Sequence, residues 1–159
     1  MKDVQKHVIM GRADYQIQRG APKSESGLVA QKKFKAIFDF SLKDSAGAAN
    51  SAVGAHGMGV YLPKGAVITR AWYQVKTALT SAASTATVAV SAEGANDLKT
   101  ATAVSDATLG TTGFKEGIAD GTAAHFVALT AEREITVTIA VQALTAGRLV
   151  IFGEYALGE

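Results

Sequence analysis

The chain has 159 residues, 48% hydrophobic and 19% charged, with a net charge of +2 and no cysteine. That length fits one domain, with room for an appended arm, and is enough to bury a real core. The absence of cysteine excludes a disulfide staple and a thiolate metal site. No apolar run approaches the roughly 20 residues that a membrane helix needs. No signal-peptide core follows the polar start Met1-Lys2-Asp3-Val4-Gln5-Lys6-His7. The expectation is an untargeted soluble protein that meets no membrane.

Residues 1–33 differ from the rest. Charged residues alternate with isolated apolar points, and neither a helical nor a strand period runs far. Gly20-Ala21-Pro22-Lys23-Ser24-Glu25-Ser26-Gly27 is a turn-rich linker. Residues 1–35 carry eight bases against three acids, a surplus of +5, while the remainder carries eight bases against eleven acids, or −3. A basic arm on an acidic body could be a solvated tail, or could steer the arm to an acidic protein face or to phosphate. Val8, Ile9, Tyr15 and Ile17 are apolar anchors that a solubilising tail would not need. Arg12 and Arg19 can make bidentate contacts with carboxylates. These six are the candidate protein-interface residues, and 1–33 is expected to be an extended assembly arm.

From Phe34 the pattern turns to strands. Phe34 to Phe40 reads as the first. Ser45 to Gly59, where Ala and Gly supply nine of fifteen residues, reads as a flexible loop. Gly59 to Leu62 is a short strand, and Leu62-Pro63-Lys64-Gly65 a turn with proline second and glycine fourth. Ala66 to Ala78 is a long strand carrying Trp72, the one tryptophan. Neighbours on a strand face opposite ways, so Trp72 and Tyr73 are split, and Trp72 is expected in the core. Thr85 to Ser91 and Leu98 to Val104 follow. Gly110 to Gly121, with four glycines, reads as a loop around Phe114. His125 to Leu129 is a further strand. Glu134 to Val141 alternates most cleanly: Ile135, Val137, Ile139 and Val141 share one face, Thr136, Thr138 and Ala140 the other. Leu144-Thr145-Ala146-Gly147 is expected to be a hairpin turn, and Arg148 to Tyr155 the last strand. About eight short strands without an amphipathic helix predict an all-β fold, an antiparallel sandwich or jelly roll over 34–159.

The search for chemistry is nearly empty. No Walker loop, nucleophile elbow, zinc-protease pair or calcium loop is present. His7, His56 and His125 are scattered, and His125 is best read as a sheet histidine. Glu132 and Glu134 flank Arg133, and a surface role is their default. Asn96-Asp97 and Asp120-Gly121 lack the spaced oxygens of a calcium site and read as turns. No catalytic, cofactor or metal residue is assigned. Nucleic-acid binding would want basic residues and aromatics on one face, and the acidic body does not offer it.

The segment Tyr61-Leu62-Pro63-Lys64-Gly65-Ala66-Val67-Ile68-Thr69-Arg70 and the ending Ala143-Leu144-Thr145-Ala146-Gly147-Arg148-Leu149-Val150-Ile151-Phe152-Gly153-Glu154-Tyr155 resemble small virion proteins of tailed bacteriophages. The likeness covers roughly residues 60–157. It implies a non-enzymatic head decoration (cement) protein on the capsid exterior, assembled in the bacterial host cytoplasm. The implied partners are the major capsid protein and further copies of the chain, a homo-oligomer with a trimer as first expectation. The arm lies outside the shared pattern. Two other classes compete. A carbohydrate- or receptor-binding tail or fibre module would show exposed aromatics beside Asp or Asn. A β-sandwich hydrolase would show acids converging in a cleft.

Overall fold

The computed structural model describes residues 31–157. Nine strands lie among them: β1 (Lys32–Asp39), β2 (Gly54–Leu62), β3 (Ala66–Ser81), β4 (Thr87–Ser91), β5 (Lys99–Ala103), β6 (Gly113–Asp120), β7 (Val127–Ala128), β8 (Arg133–Ala140) and β9 (Leu144–Leu157). One short helix, α1 (Ala107–Gly110), is capped by the Asp106 side chain, which accepts from the Thr108 N–H. One sheet runs β1-β9-β3-β6, with β7 also paired to β3; the other runs β2-β8-β4-β5. Every pairing is antiparallel.

Alternation builds the core. On β1, Phe34, Ala36 and Phe38 are buried, while Lys33, Lys35 and Ile37 face outward. On β8, Ile135, Val137 and Ile139 are buried between intermediate neighbours, matching the face expected from sequence. Val141 does not continue that face. It sits beyond the strand at φ +71° and is among the most exposed apolar residues described. Ile139 and Ile151 are both buried, as their pattern implies.

Trp72 is the clearest departure. It is half-buried and faces outward, and Tyr73 takes the core place. The cause is a slip of phase. Ala66 and Ile68 face inward, and an unbroken alternation would bring Trp72 inward with them. The pairing of β3 shifts register between Ile68 and Arg70, so the inward set becomes Ala71, Tyr73 and Val75. One extra residue exchanges the faces of all that follows.

Three glycine-rich stretches also differ from expectation. Gly113 to Asp120 is strand β6 and not a loop; it pairs with β3 from Arg70 to Val75. Strand β2 begins at Gly54, inside the expected loop. Residues 144–147 form the start of β9, paired to β3 at Leu144 and Ala146. The chain reverses instead at Val141, where the Gln142 N–H donates to the Ala140 carbonyl. The turn after β2 is shifted by one residue: the Ala66 N–H donates to the Pro63 carbonyl, and Gly65 supplies φ +81°. Of His125 to Leu129, the last strand expected before β8, only Val127–Ala128 is strand, preceded by a single 3-10 turn over Ala123–His125.

The segment between β1 and β2 is held by polar anchors. Asp44, with a side chain 4% exposed, accepts from the Ala46 and Ala48 N–H groups and lies 2.9 Å from His56 Nδ1. His56 Nε2 donates to the Ala52 carbonyl at 2.8 Å. The His56 hydrogen bond, ahead of the two backbone donors, holds the Asp44 carboxyl below its ordinary range. A stretch that reads as loose from its Gly and Ala content is thus tied across twelve residues.

Candidate assembly surface

The outer face of the β1-β9-β3-β6 sheet carries an apolar cluster. Its members are set by register. Phe152 of β9 lies opposite Lys35 of β1 on one side and Trp72 of β3 on the other. The next outward row is Ile37, Val150, Gln74 and Phe114. The Trp72 and Phe152 rings stack with centroids 5.8 Å apart, and Phe114 tilts against Phe152 at 6.5 Å. Such pairs contribute about 0.5–1.5 kcal/mol beyond area burial. Phe114 is 66% exposed and Ile37 42%, while Val150, in the same outward row, is only 5% exposed. Large apolar side chains gathered on one solvent-facing sheet face mark an interaction site more often than scattered ones do.

Charge rims this face. Arg70 lies 5.7 Å from the Trp72 ring centroid and pairs with Glu116 at 3.1 Å. Lys33 and Glu154 pair at 3.5 Å, and Arg148 and Asp39 at 3.7 Å. Exposed pairs of this kind add little stability but orient a partner.

The acids considered for catalysis stay apart in role. Glu134 accepts from the Gly59 N–H at 2.7 Å, bracing the irregular stretch of β2. Glu132 is exposed. His125 is a surface residue 3.1 Å from Asp120. Asp97 accepts from the N–H groups of Ala92, Glu93 and Gly94, the work of a turn residue. No group of three His, Cys, Asp or Glu positioned to hold a metal occurs among the described residues. No helix among them is long and apolar enough to cross a membrane. The arm candidates Val8, Ile9, Arg12, Tyr15, Ile17 and Arg19 lie outside the described residues.

Sequence reasoning missed this surface because its aromatics come from three strands and Trp72 was assigned to the core. A single cue was available: Phe152 shares a face with Val150 and Glu154, opposite to Ile151.

No family model matches the chain, and no curated protein matches it. Solved structures do share its fold. A chain in the cyanophage Pam1 capsid asymmetric unit is 21% identical with a TM-score of 0.57, over 81% of this chain and 86% of that one. A chain in the acidic stable capsid structure of Helicobacter pylori bacteriophage KHP30 is 18% identical with a TM-score of 0.54, over 81% and 89%. A chain in the capsid of Ralstonia phage GP4 is 19% identical with a TM-score of 0.53, over 82% and 87%.

Proposed function

We propose that this chain is a non-enzymatic structural protein of a tailed-phage particle, binding the outside of the capsid as a decoration or cement protein that stabilises the shell. The observation that carries the reading is the shared fold, across four-fifths or more of both chains, with chains in three phage capsid structures. The aromatic face supports it by offering a surface suited to another protein.

The architecture is read as a jelly roll. With two-residue β7 set aside, the sheets are β1-β9-β3-β6 and β2-β8-β4-β5, so successive strands cross between sheets except at the β4–β5 hairpin, the order of a jelly roll. Residues 1–33 are read as an assembly arm and 34–159 as the body, with Lys32 and Lys33 at the end of the arm already belonging to β1. The basic charge of the arm, the acidic charge of the body and the anchors Val8, Ile9, Tyr15 and Ile17 support contact with a neighbouring copy or with the shell. Several copies around an axis, a trimer first, would add avidity. Assembly takes place in the host cytoplasm, and the partners are the major capsid protein and further copies.

The test is electron microscopy of native particles containing this chain. Density for the body outside the shell, at symmetry axes, is expected; density at the tail or fibre, or none on the particle, overturns the reading. The Trp72, Phe152 and Phe114 cluster beside Arg70 and Glu116 favours one second reading, a tail or fibre module that stacks sugar rings. Saturable signal on a glycan array that Trp72→Ala abolishes would select it.

A further inference from the structure

Strand β1 is an edge whose pairing groups can be assigned one by one. The Phe40 N–H donates to the Gly147 carbonyl, continuing the β1–β9 register by one step. In an antiparallel ladder, alternate residues turn both backbone groups to the partner. Phe34, Ala36 and Phe38 therefore bond to β9, and Lys33, Lys35, Ile37 and Asp39 turn theirs away. The Asp39 carbonyl is satisfied, because it accepts from Leu42 N–H and from Asn50 Nδ2. No strand among the described residues pairs with β1 on the side of Lys33, Lys35 and Ile37. Other edges are handled differently. The Ser45 N–H caps β2 at the Gly57 carbonyl, and the Ile118 N–H of β6 ties to the Leu98 carbonyl.

A second observation lies at the end of this edge. A groove of about 220 Å³ is lined by Ile37, Lys43, Asp44, Asn50, Gly57 and Met58, among others. Asn50 is 3% exposed, and its Oδ1, closed to solvent, has no hydrogen-bond partner among the described residues. Its orientation is fixed, since the Asp39 carbonyl requires the amide nitrogen on its side. A buried acceptor without a donor weakens the packing at this end of the edge.

We propose that β1 is a strand-addition site for an extended acidic segment of a partner protein, whose far end runs toward the groove beside Ile37 and Lys43. Charge selects the occupant. Lys33 and Lys35 alternate outward along the edge and Lys43 stands at the groove, all exposed. The nearby acids are engaged: Glu154 with Lys33, Asp39 with Ser41 and Arg148, and Asp44 with His56. Two β1 edges brought together would set lysine against lysine, which is how natural edges reject copies of themselves. Residues 1–30 carry five bases against three acids and are a poor match for the same reason. A strand with carboxylates at alternate positions meets Lys33 and Lys35 on one face while its backbone completes the ladder.

This deepens the assembly reading by naming a surface and the chemistry of its partner. The probe is a short capped peptide alternating Glu with Val, added to the isotope-labelled full chain. Amide exchange at Lys33, Lys35 and Ile37 is expected to slow about tenfold or more as the edge is paired. The same peptide with Lys in place of Glu, or with N-methylated backbone, is expected to have no effect. Lys35→Pro removes an outward N–H while leaving the β1–β9 bonds, a substitution edge strands tolerate, and is expected to abolish protection. If that variant misfolds, Lys33→Gln with Lys35→Gln serves, with weakened binding expected. Equal protection by both peptides, or by neither, overturns the proposal. So does protection already present in the free chain: independent of concentration it assigns the edge to the chain's own segment, and rising with concentration to a second copy. Lys35→Pro that loses the peptide but still saturates particles would sink the edge as the capsid contact and leave the decoration reading standing.

Discussion

Adjacent residues can be made to report on the bulge in β3. Tyr73 is 4% exposed, with its hydroxyl beside Thr108 and its pKa raised by burial. Truncating it to Ala is expected to cost about 3–5 kcal/mol, the range for large aromatic core residues. Trp72→Ala should cost about 1 kcal/mol, mainly its stacking on Phe152. Urea titration of the two variants gives the order; equal costs would mean that the phase of β3 is wrong. Ile139→Ala, in the plainest alternating strand, should cost about 2–5 kcal/mol. Glu93 provides an acid-side test. The Arg133 hydrogen bond, then the Thr130 hydroxyl, bring its carboxyl down to about 2. Its folded pKa is depressed, so its contribution is complete above the ordinary glutamate range and is lost as pH falls toward about 2. Glu93→Gln is expected to flatten the fall in stability across that window, measured by urea unfolding at a series of pH values. At this scale the sequence was legible wherever alternation ran unbroken, as in β8, and illegible where one inserted residue reversed it. Nothing in the composition of Ile68-Thr69-Arg70 signals the bulge.

Among elements, the glycine-rich ones were hardest to read. β6 holds Gly113 and Gly117 within eight residues, so local propensity argues against a strand. Tertiary pairing overrides it: β6 lies on β3, and Gly117 lets the Ala71 and Leu98 carbonyls approach to within 2.8 Å of where a Cβ would stand. The apolar face was illegible for a related reason, since Trp72, Phe114 and Phe152 meet only through register. The β8–β9 reversal illustrates strain. Val141, β-branched, holds φ +71°, a conformation that costs L-residues about 1–2 kcal/mol. Asparagine visits that region more readily, so Val141→Asn is expected to raise stability by about 1 kcal/mol, read as an upward shift in the denaturant midpoint. An unchanged midpoint would show that the turn relaxes.

For the whole molecule, the expected far-UV circular dichroism is β-dominated, because helix is confined to α1 and one 3-10 turn among the described residues. Most of the core clusters in one body between the two sheets, so unfolding of residues 31–157 should be cooperative. Sedimentation at micromolar concentration is expected to show an oligomer, a trimer first; a clean monomer would leave assembly to the capsid surface alone. The all-β class could be read from the spacing of turns and β-branched runs. The partner surface could not, because it exists only once separate strands are side by side.

The pairing of β1 with β9 bears on how the body carries load. Lys32 lies opposite Tyr155 and Asp39 opposite Arg148, so eight aligned pairs join the two strands. Any tension passed from the preceding residues enters at Lys32. Drawn along the strand axis, it loads all those pairs together, and the ladder must fail as a unit. Drawn sideways, it peels them apart in turn, beginning at Lys32 and Tyr155. A tether leaving along β1 would therefore hold far more force than one leaving across it. The strength of such an anchorage would depend on the direction of pull as much as on the number of bonds.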